Sequence, residues 1–134
     1  LDGSRLVLVP PEEDLPGRRP FLAGRFEVTN AQWDAFLAAQ GRPPRRRPPD
    51  LPAVDLDHDE ARAYAAWAGG RLPSTLEWLH LATWHTTDDR TVREAANFKG
   101  EEDGHAGVAP VGSCAADRSR WGARDVFGNV REWV

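Results

Sequence analysis

The stretch that decides the fold is Trp121-Gly122-Ala123-Arg124-Asp125-Val126-Phe127-Gly128-Asn129-Val130-Arg131-Glu132-Trp133-Val134. Two tryptophans bracket a Gly-Asn turn, and Asp125 and Glu132 stand on either side of it. Gly and Asn are turn formers, so this end of the chain reads as an ordered loop anchored by indoles.

Working back from that loop, the chain is organised by three helix starts. Thr29-Asn30-Ala31-Gln32 reads as a capping box, in which the hydroxyl and the Gln amide satisfy each other's backbone N–H. Trp33, Phe36 and Leu37 follow at i, i+3 and i+4 and predict one apolar helix face, ended by Gly41. Asp57 to Glu60 is a second box, followed by a stripe of Ala61, Tyr64, Ala65 and Ala68 and stopped by Gly69-Gly70. Ser74 and Glu77 form a third, opening a helix with Trp78 and Ala82 on one face. Residues 6–9 (LVLV) and 21–28 predict two short strands. From Asn97 onward the chain is mostly loop. Residues 42–52 hold five prolines and four arginines. With no aromatic interleaved for base stacking, they read as a solvated extended loop rather than a nucleic-acid patch.

The totals narrow the function classes. At 134 residues the chain is one domain. A net charge of −4 favours neither nucleic acid nor an anionic membrane, and no apolar run approaches the roughly 20 residues of a bilayer span. The only cysteine is Cys114, which rules out an intrachain disulfide and fits a reducing, cytoplasmic setting. No methionine is present and Lys99 is the only lysine among 17 basic residues. A GC-rich genome accounts for the Arg, Ala, Pro and Gly bias, with a thermophilic source as a second reading. Both chain ends read as cut.

Residues 122–133 resemble the G-x-x-D-x-x-G-N-V-x-E-W signature of the formylglycine-generating-enzyme (sulfatase-modifying-factor) family. Four further blocks follow the family's order. Residues 26–33 (FEVTNAQW) are similar to its Y-E-V-T-N-x-Q opening, and residues 51–67 to its P-V…A-x-A-Y-x-x-W segment. Residues 70–78 (GRLPSTLEW) are similar to its R-L-P-T-E-A-E-W block. Asn97-Phe98-Lys99-Gly100 with Pro110-Val111-Gly112-Ser113 is similar to N-x-x-G…P-V-G-S. The resemblance covers residues 21–134. It implies an α+β, loop-rich variant of the C-type-lectin fold, with short strands and about three helices, as a single domain over 1–134 truncated at its C-terminal end. Trp33, Tyr64, Trp67, Trp78 and Trp133 are expected to anchor its core. In place of T-E-A-E-W-E the chain has Ser74-Thr75-Leu76-Glu77-Trp78-Leu79, so Leu79 is expected to meet a partner or the missing tail.

The same resemblance implies structural calcium. One site maps onto Asn97, Phe98, Asp103 and His105, with side-chain oxygens from the first and third and backbone oxygens from the others. A second maps onto Asp125 and Glu132 as carboxylates with the carbonyls of Gly128 and Val130. Calcium takes six to eight such oxygens. The family's copper site uses paired thiolates beyond the G-N-V-x-E-W block. Cys114 lies upstream of it, so no copper site and no catalytic residue is expected in this chain. His58, His80 and His85 match no common metal spacing.

These readings predict a non-catalytic ligand- or protein-binding module, of which the variable proteins of diversity-generating retroelements are one example on this fold. The competing expectation is the N-terminal part of a copper-dependent formylglycine-generating oxidase, or of a related iron sulfoxide synthase. In either case a missing C-terminal segment or a second chain is the expected partner.

Overall fold

The computed structural model describes residues 3–11, 19–83, 96–98 and 107–134. Two strands and three helices follow one another: β1 (Leu6–Val9), β2 (Phe21–Gly24), α1 (Asn30–Ala39), α2 (His58–Trp67) and α3 (Thr75–Leu81). His85, Asp103 and His105 lie outside the described residues.

Every helix begins where its capping box places it. Thr29 Oγ1 accepts the Gln32 N–H at 3.3 Å, and the Gln32 side chain accepts the Thr29 N–H at 2.8 Å. Asp57 and Glu60 repeat the exchange, as do Ser74 and Glu77. Each box satisfies two of the donors a helix start leaves open. The Glu77 carboxylate is further gripped by both terminal nitrogens of Arg71, at 2.8 and 2.7 Å. Those bonds hold its carboxyl down at about 2. Gly41 (φ 68) and Gly69 (φ 87) take the left-handed backbone that ends α1 and α2.

β1 and β2 pair antiparallel, with Leu8 opposite Leu22 and Val9 opposite Phe21. The second strand ends at Gly24 and does not run on to Val28. Arg25 N–H makes the last contact, to the Arg5 carbonyl, because β1 offers no partner beyond that point. The chain then turns so that Val28 accepts from Ala53 at 2.7 Å and Thr29 bridges Pro52.

Two small cores result. Val7, Val9, Phe21 and Ala23 put the inner sheet face against Trp78 and Leu81 of α3, its C-cap Ala82, and Trp121, Ala123, Val126 and Phe127 of the terminal loop. The other core joins α1 to α2: Trp33, Phe36, Leu37 and Tyr64 pack together, with Trp67 and Ala68 alongside. Trp33 and Tyr64 stack at 5.6 Å, and Phe36 meets the Tyr64 edge at 5.7 Å. Trp133 departs from its expected role as an anchor. It stays 46% exposed, held by its indole N–H to the Leu56 carbonyl at 3.1 Å and by an edge contact with His58. No described helix is long and apolar enough to cross a membrane.

Candidate functional site

The terminal loop is irregular, yet hydrogen bonds from several parts of the chain hold it. Asp125 and Asn129 both hold left-handed backbone (φ 56 and 65). Non-glycine residues held there store strain that the surroundings must oppose. The opposition comes from three distant parts of the chain.

Asp117, fully buried, accepts the N–H of Phe127 at 3.3 Å and that of Gly128 at 3.1 Å. The Asn97 carbonyl accepts the Asn129 N–H at 2.7 Å. Glu27, which follows β2, accepts the Val130 N–H at 3.2 Å through Oε1 and the Asn129 side-chain amide at 2.8 Å through Oε2. Asn129 Oδ1 in turn accepts from the Ala109 N–H and the Asn97 amide. Gly128 is required by proximity: a Cβ there would sit 2.6 Å from the Asn97 carbonyl oxygen and 2.7 Å from its nitrogen.

Around this loop stand four carboxyls, all raised above their ordinary values. Burial pushes Glu27 up to about 8, with Asp125 and Glu132 adding like-charge repulsion against the pull of the Asn129 amide. Glu132 rises to about 7 through desolvation of its carboxylate, opposed by the Trp78 indole N–H and reinforced by Asp117 and Asp125, although the residue's outer surface remains in solvent. Asp117 reaches about 6, again through burial first. Asp125 is raised by burial, while the Gly112 N–H and Arg124 lower it.

The carboxyls divide into two kinds. Glu27 and Asp117 use both oxygens on the loop's own N–H groups and amide. Asp125 uses Oδ2 on Gly112 N–H, and Glu132 uses Oε2 on the Trp78 indole. No hydrogen bond engages their second oxygens among the described residues.

Of the second predicted calcium set, Asp125 and Glu132 lie close enough to repel each other, and Gly128 and Val130 stand between them in sequence. Of the first set, Asn97 is buried against this loop, its amide donating to Gly107 at 2.8 Å and to Asn129. Phe98 is exposed. Asp103 and His105 lie outside the described residues. No group of three or more His, Cys, Asp or Glu side chains is arranged for a metal among the described residues, so the set depends on backbone carbonyls as well. Cys114 is half-buried, its carbonyl accepting from Asp117. His80 meets the Pro10 carbonyl and Trp121. Sequence reading missed Glu27 and Asp117. Glu27 had a signal, inside the Phe26-Glu27-Val28-Thr29-Asn30 block; Asp117 had none.

An open groove of about 570 Å³ lies elsewhere, between the start of α3 and the prolines flanking the sheet, lined by Pro10, Pro20, Phe21, Arg71, Leu76 and His80.

Comparison with known proteins completes the picture. A family model described as the sulfatase-modifying factor enzyme 1-like domain matches residues 9–134. A hercynine oxygenase of Mycobacterium tuberculosis is 36% identical over 157 residues, covering 85% of this chain and 37% of that protein. An inactive C-alpha-formylglycine-generating enzyme 2 of Bos taurus is 35% identical over 99 residues, covering 63% of this chain and 33% of that protein. The chain thus spans about a third of the length of these relatives. The structure of PvdO from Pseudomonas aeruginosa superposes with a TM-score of 0.70 at 25% identity, over 98% of this chain and 67% of that one.

Proposed function

Because the chain belongs to the sulfatase-modifying factor enzyme 1-like family, we propose that it serves as a calcium-braced scaffold, a ligand- or protein-binding module and not a catalytic unit. The observation that carries this reading is the pair of side chains, Asp125 and Glu132, that each keep one oxygen without a hydrogen bond among the described residues, beside a loop whose N–H groups face Asp117, Asn97 and Glu27. Such a place presents oxygens, and a hard divalent cation is what oxygens of this kind hold. The carboxyls are raised by burial first and, for Glu27, Asp117 and Glu132, by their acidic neighbours second, and a bound cation would offset both. Asp125, Glu132 and the carbonyls of Gly128 and Val130 would hold the ion. Calcium, when bound, supplies positive charge that ties the loop's two ends together.

A binding role is supported by the surfaces the fold leaves open. Leu6, Leu8 and Leu22 on the outer sheet face, and Leu76 and Leu79 on α3, are each more than half exposed. A second chain or an adjoining segment over these leucines is part of the proposal. A two-thiolate copper site would need a cysteine from outside this chain, because Cys114 is its only thiol.

The test is thermal unfolding with chelator and then with calcium. A ligand at 100 times its Kd stabilises by about 2.7 kcal/mol, which for 134 residues raises Tm by about 10 °C. An unchanged Tm, with no heat on titrating calcium, would sink the reading.

A second reading is favoured by the 36% identity to a hercynine oxygenase over most of the chain: the segment is the scaffold part of such an oxygenase. Oxygen-dependent consumption of hercynine by the product of the whole reading frame would establish it. Failure of that product to consume hercynine would leave the binding module.

A further inference from the structure

We propose that Trp78 is a positioning residue that aims the Glu132 carboxylate at the cation, a proposal that rests on the calcium reading above. The Trp78 ring packs against the core cluster of Val9, Leu81, Ala82, Ala123 and Val126. Its indole N–H donates to Glu132 Oε2 across 54 positions of sequence. One bond thus ties α3 directly to an acid of the proposed ligand set.

The nature of the donor decides what this bond does. An indole N–H can only donate, so the oxygen it meets is always an acceptor. The other oxygen, Oε1, has no hydrogen bond among the described residues. A carboxylate held by one oxygen presents the other. The donor is itself fixed. Trp78 N–H bonds the Ser74 carbonyl at 2.9 Å, and the preceding Glu77 closes the capping box and is gripped by Arg71.

Glu132 needs such a hold more than Asp125 does. Asp125 is buried, its own N–H reaches the Asp117 carbonyl at 3.2 Å, and its Oδ2 takes the Gly112 N–H. Glu132 lies in the exposed end of the chain and carries a longer side chain, with more rotamer freedom to lose when it is fixed. The bond to Trp78 moves that loss to folding, so that it does not weigh against binding the ion.

Trp78→Phe keeps an aromatic ring in the core and removes the donor. Trp121→Phe is the matched control. Its ring packs against the same cluster and its indole N–H donates to the His80 carbonyl at 3.0 Å, so it loses a hydrogen bond and the same volume, but no hold on a carboxylate. Calcium affinity is measured by isothermal calorimetry at a temperature where both variants are folded. The pH is set at about 8, above the value of about 7 to which Glu132 is raised, so that its carboxylate is mostly charged. The expected result is an affinity loss of about 10- to 100-fold in Trp78→Phe, the range for groups that orient metal ligands, with Trp121→Phe unchanged. Equal losses in the two variants would mean that a loosened core sets the affinity, and would overturn the proposal. Trp78→Phe binding as the wild type does would overturn it too, while leaving the calcium reading intact. A wild-type chain that binds no calcium removes both.

A second measurement leaves both tryptophans in place. In chelator at the same pH, the indole N–H resonance of Trp78 is expected to move on Glu132→Ala, an exposed substitution, while that of Trp121 stays. A Trp78 resonance indifferent to the loss of Glu132 would show that the ion alone orients this carboxylate, and the proposal would fall.

Discussion

Gly128→Ala is the sharpest single perturbation available. The glycine has no left-handed φ to defend, so its role is spatial. A methyl at Gly128 would lie 2.6 Å from the Asn97 oxygen, 2.7 Å from its nitrogen and 3.0 Å from its carbonyl carbon. All three are backbone atoms and cannot swing aside. The loop must move instead, which strains its packing by about 1–3 kcal/mol. The move also breaks the 2.7 Å bond from Asn129 N–H to Asn97, worth about 1 kcal/mol. A total near 3 kcal/mol, set against an unfolding entropy of about 2.1 cal/mol/K per residue over 134 residues, lowers Tm by about 10 °C. Differential scanning calorimetry in chelator reads this directly. Gly70→Ala is the control: its new Cβ would meet only the Ala65 carbonyl at 3.8 Å, an ordinary contact, and Tm should move by less than about 2 °C. Equal and small shifts in the two variants would refute the close-approach argument.

Three further outcomes follow from the same geometry. In the cation-free chain, Glu27, Glu132 and Asp117 carry folded pKa values of about 8, 7 and 6 against ordinary values of 4.5, 4.5 and 3.8. The folded state holds protons that the unfolded chain releases, so stability should fall from about pH 5 to pH 8 in chelator; a Tm that climbs across that interval contradicts the assignment. Trp33→Ala empties the centre of the α1–α2 core, where the indole is 1% exposed, and should cost about 3–5 kcal/mol in urea unfolding; a loss under about 1 kcal/mol would show that the core collapses around the gap. Ser74→Ala removes the hydroxyl that accepts the Glu77 N–H at 3.3 Å but leaves the Glu77 bond to the Ser74 N–H, so the loss should be about 1 kcal/mol and no more than about 2.

What could be read from sequence was whatever depends on short spacing. Thr29 to Gln32, Asp57 to Glu60 and Ser74 to Glu77 lie three residues apart, and that interval alone brings side chain and backbone together. All three helix starts were legible for that reason. Trp33, Phe36 and Leu37 share a helix face by the same logic, and they are buried together. The terminal block was legible as an ordered loop around Gly128 and Asn129. The agents that order it were not. Glu27 is 103 positions from Val130 and Asp117 lies in irregular chain, so no period links either to its target. Strand length failed in a similar way. Residues 21–28 alternate well enough, but pairing stops when β1 runs out, which is a property of the partner. Trp133 was misjudged because an indole can satisfy its N–H at the surface as easily as in a core.

The contact between Glu27 and the terminal loop also bears on how the chain is made. Synthesis runs from the N-terminus, and earlier parts of a chain usually settle first. Glu27 precedes its partners by 102 and 103 positions, so its acceptor oxygens are matched only when Asn129 and Val130 have emerged. Until then the β2–α1 junction carries an acid without its partners, and the strained left-handed turn that completes it does not exist. The helices have their start signals within a few residues and can form during elongation. The site cannot. It is assembled only once Asn129 and Val130 have been made and return to Glu27, 102 and 103 positions before them.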